Sequence, residues 1–374
     1  MRNTPCWNWR RISLLLFLAF YSVNGLRAQG LKPGFSPKEY LELMKVSAKF
    51  AQDSLYLSKI PEPEFFEKIY DSPEMGLKNK WQLWFDKDSN TALVSIRGTA
   101  GDPSSWLENF YSGMVPASGT LQIAKDFRFD YQVAANPRAA VHVGWLLATA
   151  FIARDLGPKM DSLYQAGTKD LLIMGHSQGG GIAYLLTAYL LTNRANGKIP
   201  SDWIIKTYCS AAPKPGNLFF AMDYENLTQD GWAYNVINAS DWVPQTPFSI
   251  QTIADFNKVN PFSDVDQILK KQKFSQRLLF KHVYNKLDKP TRKASRNFEK
   301  FLGDKATGLV QRYLPEFQKP TFAGTMDYAR AGNTISLTAD AAYLEKYPDD
   351  PEKIFMHHFH LPYMELIERR YGTR

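Results

Sequence analysis

Hydrophobic and polar residues alternate along this chain in two distinct periods. Trp81 to Phe85 and Ala92 to Ile96 are short apolar runs separated by the turn-forming Asp86-Lys-Asp-Ser-Asn90, which predicts a β-hairpin. Leu171 to Met174 is a continuous apolar run of strand length, as in a parallel strand covered on both faces, and Trp203 to Tyr208 and Ala233 to Ala239 read as further strands. Leu121 to Tyr131 alternates like a further strand, and Asn333 to Thr338 reads as a last one. Between these runs the period changes to that of a helix. Ser36-Pro-Lys-Glu39 combines a cap, a first-turn proline and a capping-box glutamate, and predicts a helix to about Asp53. Ala139 to Leu156 reads as an amphipathic helix, and Gln178 to Leu191 places Ile182, Leu185, Leu186, Tyr189 and Leu190 on one helical face. Strands alternating with helices in this way predict an α/β fold: a mostly parallel central sheet with helices on both faces.

Residues from about 250 to 330 change character. Residues 269–320 carry fourteen lysines and arginines against four acids, a local formal charge of +10. Leu278, Leu279, Val283 and Leu287 interleave with Arg277, Lys281 and Lys286, which predicts two basic amphipathic helices split near Pro290. Read simply, this is a solvated face that aids solubility. Read functionally, it is a peripheral contact with an anionic membrane or lipid surface. The basic face lacks interleaved stacking aromatics, which argues against nucleic acid.

The whole chain of 374 residues carries a net charge of +8. Its first segment has Arg2, Arg10 and Arg11 before an apolar run from Ile12 to Phe20, then small residues at Gly25 and Ala28. This pattern predicts a signal peptide over residues 1–28 and an exported protein. An uncleaved anchor is the weaker reading, because the run is short for a bilayer. Removing residues 1–28 takes away four arginines and lowers the charge to +4, and it also removes Cys6. The remaining Cys209 then has no intramolecular partner, so no disulfide framework is expected. A single domain over residues 29–374, carrying the helical insertion, accommodates the rest.

The chemistry centres on Gly175-His-Ser-Gln-Gly179, between an apolar strand and a helix. A serine on so sharp a turn needs glycines at 175 and 179, where a Cβ would block the turn that thrusts the hydroxyl out. Ser177 is therefore the candidate nucleophile. Serine is weak alone, and needs an imidazole to take its proton and a carboxylate to orient that imidazole. Asp241 follows the buried run 233–239 directly, at the strand end where functional groups gather. His142 reads as a core histidine, His176 points elsewhere on the turn, and His282 sits on the basic helix. The cluster of His357, His358 and His360 remains. Three histidines so close could also hold a metal, but no carboxylate or cysteine pattern completes a zinc site. Thr99, in the glycine-bearing Arg97-Gly-Thr99 loop, and the backbone amide of Gln178 are the candidate oxyanion donors.

In order along the chain these motifs resemble the class 3 lipases, the family of secreted fungal triacylglycerol lipases. The resemblance rests on Ile96-Arg-Gly-Thr99 with Trp106, Val141-His-Val-Gly-Trp145, Gly175-His-Ser-Gln-Gly179, Ala212-Pro-Lys-Pro-Gly-Asn217, Asn238-Ala-Ser-Asp-Trp-Val-Pro244 and His360-Leu-Pro-Tyr363. It implies an α/β-hydrolase fold, a triad of Ser177, Asp241 and His360, and oxyanion donors at Thr99 and Gln178. His360 is preferred over His358 because Leu361 and Tyr363 follow it as in the family. Cys209-Ser-Ala-Ala-Pro213 departs from the Thr-Phe-Gly-Ser-Pro of fungal members. The implied activity is hydrolysis of lipid acyl esters without metal or organic cofactor. The alternatives are a phospholipase A1, a non-lipid esterase, or an inactive exported binding protein. Trp106, Leu107, Phe110 and Tyr111 either form a lid or simply pack over the oxyanion loop.

Overall fold

The computed structural model describes residues 30–260 and 274–372. The segment read as a signal peptide lies outside the described residues, as do Leu269, Lys270 and Lys273 of the basic insertion.

Seven strands form the main sheet, and their order in space is their order in the chain: β1 Glu67–Asp71, β2 Trp81–Asp86, β3 Thr91–Ile96, β4 Asp170–His176, β5 Ile204–Ser210, β6 Ala233–Asn238 and β7 Asn333–Leu337. The hairpin pairs β1, β2 and β3 antiparallel, and all pairs from β3 to β7 are parallel. Right-handed crossovers between neighbouring parallel strands put their helices on one face. Helices α3 (Val143–Gln165) and α4 (Gln178–Ala195) pack together there, in a core with Trp145, Ile182 and Leu185. The other face is covered by the two ends of the described chain, α1 (Pro37–Ala48) and α7 (His360–Tyr371), around Tyr40, Met44, Tyr363 and Ile367. This is an α/β fold with a mostly parallel sheet, and with the crossover helices on one face the second face is left to α1 and α7.

Four elements differ from the sequence reading. Helix α1 stops at Ala48, and Glu39, expected to reach back to its cap, turns instead to Lys206 Nζ at 2.5 Å and the Tyr208 hydroxyl at 2.6 Å. Leu121 to Tyr131 is two strands, Ser118–Ala124 and Phe127–Gln132, not one. The alternation stays in phase across the short turn, with Leu121, Ile123, Phe127, Phe129 and Tyr131 all buried, and so hides it. The run from Ala139 opens with a strand, Ala140–His142, before α3 begins at Val143. Finally, the basic insertion has one long helix, α6 (Phe274–Phe298), which passes through Pro290 rather than splitting there. Pro290 faces solvent, and beside it the Thr291 hydroxyl donates to the Asp288 carbonyl at 2.8 Å. The ladder changes later, in the wide turns of Glu299–Lys305.

Two further helices complete the frame of the site. Helix α2 (Pro103–Phe110) follows the loop at Thr99, and α5 (Leu218–Leu227) follows β5.

Candidate active site

Ser177 is the N-cap of α4 and the residue after β4, with φ 61° and ψ −131°. That conformation costs an L-residue about 1–3 kcal/mol and persists only where the surroundings impose it. The Ser177 amide donates to the Ser210 carbonyl at 2.9 Å, and the Gly180 amide donates to the Ser177 carbonyl at 2.9 Å. The glycines permit the close approach: a Cβ on Gly175 would stand 2.0 Å from the Gly179 carbonyl oxygen, and one on Gly179 would stand 2.3 Å from that of Ile96. Gly180 brings α4 against the segment after β5, where a Cβ would meet that of Ala212 at 2.6 Å.

His358, not His360, reaches the serine. Its Nε2 lies 2.8 Å from Ser177 Oγ and its Nδ1 lies 2.7 Å from Asp241 Oδ2. A carboxylate only accepts, so Nδ1 carries the proton and Nε2 is left to accept from the hydroxyl. The expectation for His360 is corrected by its surroundings. Its Nδ1 lies 2.9 Å from the Tyr56 hydroxyl and its Nε2 lies 3.2 Å from Ser47 Oγ, so the ring is spent on α1 and its neighbours. His360 is the first residue of α7, while His358 ends the tight 3₁₀ turn Met356–His358, and the two side chains diverge from there. His357 goes a third way, to the Tyr343 hydroxyl at 2.9 Å and Asp349 Oδ1 at 3.0 Å. Three histidines pointing to three separate partner sets do not converge on a common metal.

Asp241 is buried in the bend after β6, where it accepts the Val243 amide at 3.0 Å and the Tyr363 hydroxyl at 2.8 Å. Tyr363, taken from the sequence only as a motif letter, thus braces the carboxylate. The histidine segment is itself held by its backbone. Asn238 Nδ2 donates to the His357 carbonyl at 3.1 Å, and His176 Nε2 contacts the His358 carbonyl at 2.7 Å. Since that carbonyl only accepts, His176 carries its proton on Nε2, and its Nδ1 accepts from Ser210 Oγ at 3.1 Å. Burial, and then the neighbouring His360 and His358, hold the His176 pKa well below its ordinary value.

Thr99 and Gln178 line the same cavity as Ser177, a space of about 210 Å³ walled by Trp106, Phe110, Trp242 and Phe355. Their placement depends on two residues the sequence reading passed over. Asn109 Nδ2 donates to Thr99 Oγ1 at 2.9 Å; its Oδ1 accepts the Trp145 indole at 3.1 Å, and its carbonyl meets His142 Nε2 at 3.1 Å. Glu108, fully buried, takes the Asn79 amide at 2.7 Å and the Gln178 side-chain amide. Burial raises its pKa to about 8, against the two amide donors, which lower it. Helix α2 therefore turns its polar side inward, with Ser104, Ser105 and Glu108 buried, and leaves Trp106 and Phe110 at the cavity mouth. His142, read as a core histidine, caps α3 by accepting the Trp145 amide at 3.3 Å and stacks on that indole at 3.7 Å. The Val141-His-Val-Gly-Trp145 motif thus serves Asn109. Cys209 is a buried residue of β5, and burial pushes its thiol pKa well up, which suits an inert thiol.

Over residues 93–251 the chain matches the class 3 lipase family. The matched segment runs from β3 through the elbow to the bend after β6 and contains Thr99, Ser177, Gln178 and Asp241; His358 and Tyr363 lie beyond it. Among solved structures the chain is similar to the Rhizomucor miehei lipase propeptide complex, at 19% identity over 58% of this chain and 65% of that one, with a TM-score of 0.40. The match thus spans just under two thirds of the Rhizomucor chain. It is also similar to the nonglycosylated Yarrowia lipolytica LIP2 lipase (20% identity, 57% of this chain and 74% of that one, TM-score 0.43) and to a triacylglycerol lipase from Penicillium expansum (14%, 56% and 72%, 0.42). No curated protein matches the chain.

Proposed function

We propose that the chain is a serine hydrolase of carboxylic esters, acting on lipid acyl esters through Ser177, His358 and Asp241. The observation that carries this reading is the unbroken line of bonds from Asp241 through His358 to a serine on a strained elbow, at the wall of a largely apolar cavity. In this cycle His358 Nε2 takes the hydroxyl proton as Ser177 Oγ attacks the ester carbonyl. The Thr99 and Gln178 amides stabilise the developing oxyanion; Gln178 opens α4, where amides have no acceptor within the helix. Collapse breaks the ester C–O bond, and the departing alcohol takes the proton from His358. Water, deprotonated by the same nitrogen, then attacks the acyl-enzyme, releasing the acid and restoring the serine hydroxyl.

The apolar walls support an acyl-chain substrate rather than a charged one. The signal-like residues 1–28 add export to the proposal, to be checked by sequencing the N-terminus of protein recovered outside the cell. A fluorophosphonate probe should label Ser177, and Ser177→Ala should abolish labelling and lower ester hydrolysis by on the order of 10⁴ or more. Retention of a tenth of the activity would defeat the triad. Comparing triglyceride, phospholipid and short p-nitrophenyl esters then separates lipase, phospholipase A1 and esterase.

A further inference from the structure

Helix α6 presents three stripes rather than two. Tyr284, Asp288, Thr291, Ser295 and Phe298 follow one another by four and three residues and are its buried or half-buried side. His282, Lys286, Lys289, Lys293 and Arg296 repeat the same spacing on a second side, and all are exposed. On the flank between that second side and the buried one runs a third stripe, Leu279, Val283 and Leu287, exposed at 62%, 47% and 69%. A helix that served solubility alone would have no reason to hold a leucine stripe in water. The helix carries seven lysines and arginines against the single acid Asp288, a formal charge of +6. Exposed apolar residues beside a cationic stripe fit a surface with an anionic face and an apolar interior.

The helix is also continuous with the site. Phe298, its last residue, and Leu302, one turn on, line the cavity that contains Ser177, and Phe248 and Phe110 stand exposed at the same mouth. No helix among the described residues is long and apolar enough to cross a membrane, so contact through α6 would be peripheral. We infer that α6 docks on an anionic lipid bilayer, laying Leu279, Val283 and Leu287 below the headgroups with Lys286, Lys289 and Lys293 among them, and so brings the cavity mouth to the bilayer. The docking itself is independent of the hydrolase reading; only its consequence, delivery of the site to substrate, rests on it.

The test uses the full chain carrying Ser177→Ala, so that vesicles stay intact, and co-sedimentation with phosphatidylcholine vesicles with or without about a third phosphatidylglycerol. Binding should be at least tenfold stronger on the anionic vesicles and should fall as salt shortens the Debye length. Replacing Leu279, Val283 and Leu287 by serine, or Lys286, Lys289 and Lys293 by glutamate, should each lower that binding at least tenfold. Because all six are exposed, both variants should melt with the parent, and in the Ser177 background both should keep hydrolysis of a soluble p-nitrophenyl ester. Equal binding to neutral and anionic vesicles, or undiminished binding by the serine variant, overturns the inference. So does a stripe that instead drives self-association, seen as a concentration-dependent dimer that the serine variant abolishes while vesicle binding is absent. Vesicle binding without soluble-ester hydrolysis would leave the docking standing and defeat the hydrolase reading, and the converse would defeat the docking alone.

Discussion

His176 donates through Nε2 to the carbonyl oxygen of His358 across 2.7 Å. The histidine beside the serine in sequence thus holds the backbone of the histidine beside it in space, while the ring of His360 stacks on His176 at 4.4 Å. His358→Ala should therefore lower kcat by on the order of 10⁴, whereas His360→Ala should lower it less than tenfold and cost about 1–3 kcal/mol of stability. Denaturant midpoints measured with kcat on both variants decide the matter, and a larger kcat loss from the His360 change would return the role to that residue.

Asn109 joins Trp145 to Thr99 through its one amide. Asn109→Asp keeps the acceptor for the indole but replaces the donor to Thr99 with a second acceptor. A loss of about 10–100-fold in kcat is expected, with KM for a soluble ester little changed, because the oxyanion loop matters most in the transition state. An equal loss in the melting temperature with kcat intact would make Asn109 part of the scaffold only.

His142 is fully buried, and burial lowers its pKa to about 3 although its contacts with the Asn109 carbonyl and its own backbone work the other way. The unfolded chain takes up a proton near pH 6.5 that the folded chain refuses until about pH 3. Its contribution to stability is thus present above pH 6.5 and is lost as the pH falls toward 3, by up to about 1.4 kcal/mol per unit. Urea midpoints at pH 7 and pH 4.5 should fall less steeply for His142→Gln than for the parent. Parallel curves would mean that the ring is already charged or already wet.

Ala211 has φ 49°, in the left-handed region that favours glycine, at the place where the fungal motif Thr-Phe-Gly-Ser-Pro carries its glycine. An alanine there costs about 1–2 kcal/mol, partly offset by the extra freedom glycine has when unfolded. Ala211→Gly should raise stability by about 0.5–1 kcal/mol without altering kcat. A lower melting temperature would show that the methyl group's packing outweighs the backbone.

Much of the frame was legible in the sequence because it depends on local pattern. The apolar run of β4, the strand-like stretches of β5 and β6, the turn chemistry around Ser177 and the position of Asp241 at a strand end each follow from residues close together in the chain. The histidine was not legible in that way. His357, His358 and His360 fall within four positions, and what separates them is where a 3₁₀ turn hands over to α7, a matter of backbone rotation decided by packing against Tyr56, Tyr343 and His176. Glu108 was missed for the opposite reason. On an isolated helix its side would be read as the wet one, yet α2 lies with that side against Asn79 and Gln178. The one-helix course of α6 through Pro290 was hidden because an interior proline removes one bond of the ladder and crowds the carbonyl four residues before it, which predicts a break; α6 tolerates that cost and continues to Phe298.

The sequential strand order has a consequence in time as well as in space. Every strand of the main sheet, the elbow and Asp241 are in place by Leu337, and the face of the sheet opposite α3 and α4 carries only α1 at that point. His358, in hydrogen-bond reach of the serine hydroxyl, and Tyr363, which donates to the aspartate, both arrive on the segment that completes the cover of that face. On the proposed reading, a chain synthesised only as far as Leu337 holds its serine without the imidazole, so that ester cleavage would begin only once the segment carrying His358 and Tyr363 has docked.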